Sequence, residues 1–281
     1  MMDPIKVGIV GLGLMGGSLS LALQKQSNAY YFIGMDHNEQ HCTDALKLGL
    51  VDEICTSLET LRSCDIIVLS IPVDGILTMT QELGPLSATC TVIDLGSTKE
   101  KISLSIPSDI RENFVAAHPM TGTEKFGPTA ALEDLYTDKV VVLCDLEKSG
   151  EYQQSVAKKL FTDIGMNLVC MGSKEHDRHA AFISHMPHAV SYALANSVMA
   201  QEDSKSIVAL AGGGFKDMSR IAKSSPNMWE DIFRQNKTNV LKAIHSFQSE
   251  LKKCQKMVEN EEWETLNDWM REANTLHDIL D

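Results

Sequence analysis

A short apolar run, Ile5-Lys6-Val7-Gly8-Ile9-Val10, leads directly into Gly11-Leu12-Gly13-Leu14-Met15-Gly16. A run this short, β-branched and unbroken reads as a buried parallel strand. Residues 14–26, rich in Leu, Ala and Ser, read as a helix. Strand, glycine turn and helix together are the context in which a G-x-G-x-x-G pattern signifies dinucleotide binding. Gly11 permits the turn, Gly13 lets the backbone approach a pyrophosphate, and Gly16 lets the helix pack on the strand. The helix N-terminus then offers free N–H groups and partial positive charge to phosphates. A second apolar run, residues 30–35, ends in Asp36, 20 residues after Gly16. A carboxylate there accepts hydrogen bonds from the ribose hydroxyls of NAD and repels the 2′-phosphate of NADP. Neither His37 nor Asn38 supplies a cation for that phosphate, so NAD is the expected cofactor. The alternative is a glycine turn that serves packing alone.

Strand-like runs recur at 5–10, 30–36, 65–71, 90–95, 114–117, 139–144 and 167–171, with helical stretches between them, such as 38–49 and 151–164. This rhythm predicts an α/β N-terminal Rossmann-type doubly wound sheet. Ligands of such sheets bind beyond the carboxyl ends of the strands. Ser70-Ile71-Pro72, Asp94 to Lys99 and His118 to Glu124 each follow a strand end, so all three are expected in one crevice with the glycine turn. After residue 172 the strands stop. Helical periodicity covers about 175–200, 203–211, 214–223, 226–258 and 261–279, with Trp229, Ile232, Phe233, Val240, Leu241, Ile244, Phe247, Leu251 and Met257 recurring on one side of the longest run. The expected domains are therefore 1–172, binding NAD, and 173–281, an all-α substrate-binding and dimerisation domain. A small helical domain with long helices completes its core against a second copy, which predicts a homodimer; a compact monomeric cap is the alternative.

The formal net charge of −13 argues against nucleic acid and anionic membrane as partners. An anionic substrate would need local cations, for which His118, His185, His188, Lys99, Lys216 and Arg220 are the candidates. The 281 residues contain no apolar run able to span a bilayer, and Met1 to Pro4 do not begin a signal peptide. Seven scattered cysteines without a C-x-x-C pair read as reduced thiols of a cytoplasmic protein, neither disulfide frame nor zinc site.

His118 follows the apolar run 114–117, and near neutrality a histidine there can take a proton from an alcohol. Glu124, six residues on, is placed to tune or orient a partner. Ser184-His185-Met186-Pro187-His188 puts two histidines three apart on adjacent faces of one helix. They reach substrate, or one of them packs; a metal pair lacks a third ligand. Gly212-Gly213-Gly214 opens a segment in which Lys216 and Arg220 share a helix face. An arginine there can grip a carboxylate with two parallel hydrogen bonds, with Asp217 beside it, unless the segment is only a solvated helix start.

Taken together, Gly-Leu-Gly-Leu-Met-Gly-Gly-Ser, Asp-Leu-Gly-Ser-Thr-Lys, His-Pro-Met-Thr-Gly-Thr-Glu, Ser-His-Met-Pro-His and Gly-Gly-Gly-Phe-Lys-Asp resemble the prephenate dehydrogenase family from residue 5 to about 240. The resemblance implies NAD-dependent oxidation of a ring alcohol, with loss of CO2 and aromatisation to 4-hydroxyphenylpyruvate, in tyrosine biosynthesis. It implies that His118 hydrogen-bonds the ring hydroxyl and that Ser97 sits beside the nicotinamide. It implies that His188 and Arg220 bind substrate, with Glu124 and Asp217 in an ionic network and Lys216, Ser184 and His185 as further contacts. The cofactor set is Gly11, Leu12, Gly13, Leu14, Met15, Gly16, Asp36, Ser70 and Pro72, with no metal. Two features depart from parts of the family: no chorismate mutase domain is expected in front, and no regulatory domain after residue 281. Arogenate in place of prephenate stays open. A β-hydroxyacid dehydrogenase would carry a lysine on the first interdomain helix, and residues 180–196 contain none. A non-catalytic NAD-binding regulator would lack His118 or Arg220.

Overall fold

The computed structural model describes residues 3–26 and 29–280, so Met1 and Met2, read above as part of the N-terminus, lie outside it. Eight strands form one sheet: β1 (Ile5–Val10), β2 (Tyr30–Met35), β3 (Glu53–Ile54), β4 (Ile66–Leu69), β5 (Thr91–Asp94), β6 (Phe114–Pro119), β7 (Val140–Cys144) and β8 (Asn167–Met171). Their order is β3-β2-β1-β4-β5-β6-β7-β8. Every neighbouring pair is parallel except β6 and β7. Chain order reverses between β1 and β4, and a crevice opens outside the strand ends at such a switch point. The helices of the first half are α1 (Leu14–Gln26), α2 (Glu39–Lys47), α3 (Leu58–Arg62), α4 (Val73–Glu82), α5 (Glu100–Ser105) and α6 (Glu151–Asp163). They cover both faces. Val7, Ile9, Val68, Ile93, Val115, Val141 and Leu143 point to one apolar cluster, and Val10, Ile67, Leu69, Val92, Phe114, Val142 and Cys144 to the other. The alternation follows from the period-two geometry of strands buried on both sides.

The second half contains α7 (Ser173–Ala180), a π-helical turn (Ala181–His185), α8 (Met186–Met199), α9 (Ser204–Ala209), α10 (Gly213–Ser219), a 3₁₀ turn (Arg220–Lys223), α11 (Pro226–Gln235), α12 (Lys237–Glu259), α13 (Trp263–Asn274) and α14 (His277–Leu280). Two expected continuous runs are interrupted. The helix read over 175–200 passes through the π turn, where extra residues are accommodated without breaking the rod. The run over 226–258 divides at Asn236, which leaves helical geometry at φ −108°, ψ 27°. The two-residue strand β3 and the helices α3, α4 and α5 lay below the resolution of periodicity, being too short or following Pro. Two compact units divide between Asn236 and Lys237, 64 residues beyond the point at which strands give way to helices. The unit that ends at Asn236 thus contains the sheet together with the helices from α7 to α11.

The second unit holds α12 to α14. α12 packs on α13, where Trp269 Nε1 donates to Glu250 Oε2 at 3.1 Å. Leu241, Leu251, Val258, Trp263 and Met270 remain exposed on this pair.

Candidate active site

The glycine turn has the shape of a phosphate cradle. Gly11 adopts φ +93°, and a Cβ there would collide with the Ser70 carbonyl oxygen. Gly16 lies so close to the Gly11 carbonyl that a side chain would part helix from strand. Above Gly13 the space is open: an added Cβ would meet only Gly127 N, at 3.9 Å. That opening, over the N-terminus of α1, fits a pyrophosphate. Leu12 and Leu14 are buried in the core and Met15 packs against it, so these three would offer only backbone to a ligand. Ser70 Oγ donates to the carbonyls of Val10 (2.9 Å) and Gly11 (2.7 Å), holding the turn. Pro72 caps α4, whose Val73 N–H donates to Asp231 at 3.1 Å. Asp36 stands at the end of β2. Its Oδ2 accepts from Leu12 N and its Oδ1 from Asn38 N, both at 2.9 Å, which fixes the carboxylate beside the turn with lone pairs to spare.

His118 occupies the overhang of the sheet. β5 ends at Asp94, opposite Ala116, so Ala117 to Pro119 pair only with antiparallel β7, His118 opposite Val142. The strand therefore runs two residues past its expected end. On the β5 side, the loop Leu95-Gly96-Ser97-Thr98 takes the place of a strand neighbour. Ser97 is half-buried, and its hydroxyl makes no hydrogen bond to a described residue.

A buried ion pair anchors this corner. Lys99 and Asp94 are both fully buried and bonded, and Lys99 Nζ also donates to Ala117 O at 2.7 Å. Asp94 in turn accepts from Gly96 N (3.0 Å) and Ala117 N (3.3 Å). The pair thus ties the Ser97 loop to the residue preceding His118. Lys99 is spent internally and is no free cation for substrate.

The ring of His118, 8% exposed, meets a partner that the sequence did not reveal: its Nδ1 lies 2.8 Å from His176 Nε2. His176 Nδ1 lies 2.8 Å from Asp177 Oδ1. Asp177 also accepts from the first N–H groups of α5, Lys99 N at 2.7 Å and Glu100 N at 3.0 Å. An ionised Asp177 only accepts, so His176 carries its proton on Nδ1 and presents a bare Nε2. His118 must then donate from Nδ1, which leaves its own Nε2 lone pair free. Burial, reinforced by the neighbouring His176 and Lys99, pushes the His118 pKa well below the ordinary imidazole value, so the ring is neutral at neutral pH. A neutral imidazole with one oriented, vacant nitrogen is chemically able to accept a proton.

α7, which carries His176 and Asp177, is anchored at several points. Its Ser173 N donates to Asp145 Oδ1 at 2.8 Å, and Asp145 Oδ2 accepts from Ser173 Oγ (2.8 Å) and Ser103 Oγ (2.5 Å). Asn236 Nδ2 donates to Asp177 O at 2.6 Å and lies 3.2 Å from His185 Nδ1. His185 is fully buried, and burial lowers its pKa to about 4. It lies edge-on to Trp229, ring centroids 6.0 Å apart, so it packs away from solvent. His188 stacks on Trp229, ring centroids 3.5 Å apart, and its Nδ1–H donates to Ser184 O at 2.9 Å. Its Nε2 makes no hydrogen bond to a described residue. Burial lowers its pKa, and the Arg220 charge adds to the effect. Arg220 pairs loosely with Glu124 at 3.7 Å, both partly open to solvent. Ser184 takes part through its backbone. Lys216 and Asp217 are exposed on α10 and form no side-chain hydrogen bond or ion pair with a described residue. No group of three His, Cys, Asp or Glu among the described residues is placed to hold a metal.

Comparison with known proteins identifies the family. A model of the prephenate dehydrogenase nucleotide-binding domain matches residues 19–170, and one of the prephenate dehydrogenase dimerization domain matches residues 172–272. The chain is 33% identical over 280 residues to prephenate dehydrogenase of Bacillus subtilis, covering 97% of this chain and 75% of that one. Prephenate dehydrogenase from A. aeolicus, crystallised with hydroxyphenyl propionate and NAD+, superposes with a TM-score of 0.91 at 34% identity, covering 100% of this chain and 99% of that one. Synechocystis arogenate dehydrogenase superposes at 0.80 with 30% identity, covering 98% and 100%. Two domain models that together span most of the chain, and a relative one-third identical over nearly all of it, make this chain a member of the prephenate dehydrogenase family.

Proposed function

We propose that the chain catalyses the NAD-dependent oxidative decarboxylation of prephenate to 4-hydroxyphenylpyruvate. The observation that carries this reading is the chain Asp177–His176–His118, which ends in a vacant Nε2 at the strand-end crevice. A bound nicotinamide supplies the hydride acceptor. His118 Nε2 takes the ring-hydroxyl proton. His176 and Asp177 keep that nitrogen bare and stabilise the positive charge that forms on the ring. Ser97 orients the hydroxyl. Arg220 binds a substrate carboxylate, exchanging its loose contact with Glu124 for a two-point bond, and His188 Nε2 accepts from a substrate hydroxyl. Lys216 and Asp217, exposed on α10, are further contacts for the substrate in this reading. In the cofactor cradle, Gly11, Gly13 and Gly16 shape the pyrophosphate seat and Asp36 accepts from the adenosine ribose.

Division of labour falls at residue 172 in this reading, with nucleotide binding before it and substrate binding and dimerisation after it. A homodimer would cover the exposed apolar residues of α12 and α13. Light scattering on the purified protein checks the dimer. The excess of acidic residues disfavours nucleic acid as a partner. No helix among the described residues is long and apolar enough to cross a membrane, and the free cysteines suit the cytoplasm.

The testing experiment is NADH formation from NAD with prephenate and with arogenate in parallel. Turnover of prephenate supports the reading. Turnover of arogenate alone keeps the base and changes the substrate, an outcome to which the likeness to Synechocystis arogenate dehydrogenase gives weight. Turnover of neither, with NAD still bound, overturns it.

A further inference from the structure

Beside Asp36 stands a titratable ring that the cofactor reading does not use. His41, in the first turn of α2, places Nδ1 3.4 Å from Asp36 Oδ2, with its side chain 30% exposed. Its backbone is fixed as well, His41 N donating to the capping Asn38 Oδ1 at 3.3 Å. The far side of the ring faces the β6–β7 connection, where a Cβ on Gly127 would lie 3.7 Å from Nε2. The imidazole is therefore held between the ribose-accepting carboxylate and the loop that crosses the open space above Gly13. NAD and NADP differ only at the 2′ position of the ribose that such a carboxylate receives. Whatever flanks Asp36 meets a hydroxyl in one case and a phosphate in the other.

We propose that His41 determines the selection between NAD and NADP, and does so as a function of pH. Neutral, the ring leaves the Asp36 charge intact, and that charge repels a 2′-phosphate. Protonated, it offsets that charge from 3.4 Å away, so the penalty against the phosphate shrinks. Imidazoles change charge within the working range of enzymes, which makes the selection a graded property of pH.

The other charged groups nearby do not take this role. His37 Nδ1 approaches Asp36 Oδ1 at 3.3 Å, but its side chain is 94% exposed and solvated. On α2 itself, Glu39 is exposed at the first turn and Asp44 is bonded to Gln40. From β2 and β3, Tyr31 and Glu53 are bonded to one another at 3.2 Å. The β6–β7 connection contributes the backbone of Gly127, with Lys125 exposed two residues earlier. Among the described residues, no lysine or arginine pairs with Asp36.

The inference rests on the reading of Asp36 as the ribose acceptor, and binding measurements separate the two. Dissociation constants of NAD and NADP are measured by calorimetry, without substrate, at about pH 8.5 and about pH 6, on either side of the imidazole range. Wild type, His41→Gln, His37→Gln and Asp36→Ala are compared. Relative to His41→Gln, wild type is expected to lose about tenfold of its preference for NAD on going to the lower pH, the scale of one unit charge cancelled at a partly exposed site. The glutamine variant retains only the titration of the 2′-phosphate itself, and His37→Gln behaves as wild type. A His41→Gln preference that tracks wild type at both pH values overturns the inference, and so does a pH dependence that disappears in His37→Gln. If Asp36→Ala leaves both affinities unchanged, the ribose reading of Asp36 fails instead, and the inference with it.

Discussion

Replacing His176 with Phe tests the orientation of the base without touching the base. The ring volume is nearly kept, and the acceptor 2.8 Å from His118 Nδ1 is lost. Both rings are buried, at 8% and 2% exposure, so water does not take the vacant place. A buried N–H left without an acceptor costs about 1–3 kcal/mol. His118 escapes that cost by moving its proton to Nε2, which is the nitrogen that must be bare. The active tautomer then becomes the minor one by roughly the same energy, and kcat is expected to fall about 10–100-fold. Removing the base altogether, by His118→Asn, is expected to cost about 10²–10⁴-fold, because the proton then has no acceptor. The assay is steady-state NADH formation from prephenate, with NAD affinity measured separately by calorimetry. NAD affinity is expected to hold in both variants. His176→Gln, which can present an amide oxygen to Nδ1–H, is expected to recover part of the rate. A His176→Phe enzyme within about twofold of wild-type kcat would refute the tautomer argument, since no loss of ~1 kcal/mol or more could then reside in that bond.

Arg220→Gln is expected to raise the KM for prephenate about 10–100-fold with less effect on kcat, the worth of a charged two-point contact; an unchanged KM removes Arg220 from the binding site. Lys99→Met leaves Asp94 buried without its partner and is expected to cost about 3–5 kcal/mol of stability, read from denaturant midpoints. The buried histidines make stability depend on pH. Burial holds the folded His118 and His185 pKa values below that of the unfolded chain. Below about pH 6.5 the unfolded state therefore binds more protons, and stability falls with falling pH by up to ~1.4 kcal/mol per unit for each ring. For His185 the loss continues down to about 4, where the folded ring takes its proton. Urea unfolding at about pH 7 and about pH 5 measures the fall, and a flat profile contradicts the neutral assignment of both rings.

Much of this arrangement was written locally. The glycine turn, Asp36 and the strand-end placement of His118 could be read because each depends on neighbours within a few residues, and β1 and α1 begin and end where the pattern puts them. The support of the base could not. Ser173, His176, Asp177 and Ala180 form the buried face of α7 at helical spacing, but three of the four are polar, so the stretch reads as a solvated helix. Only the contact with α5, more than 70 residues earlier in the chain, explains why burial is tolerated: Asp177 caps one helix while it sits on another. Lys99 likewise reads as a substrate cation until its partner Asp94 is seen at the same corner. Asn236 looks like one more position in a long amphipathic run, and its side chain shows why the run divides there.

The two domain models meet at residues 170 and 172, just before α7. His118, the base of the proposed reading, belongs to the first segment, and His176 and Asp177, which are bonded to it in series, belong to the second. A fragment ending at the boundary would keep the dinucleotide cradle and His118, yet its imidazole would be free to tautomerise and α5 would lose its cap. In the proposed reading, cofactor binding and proton transfer are therefore not inherited separately. A chimaera that grafts the helical half of one relative onto the sheet of another exchanges half of the proton-accepting machinery along with the substrate pocket, and its success depends on whether the incoming α7 presents a histidine and an acid in the same register.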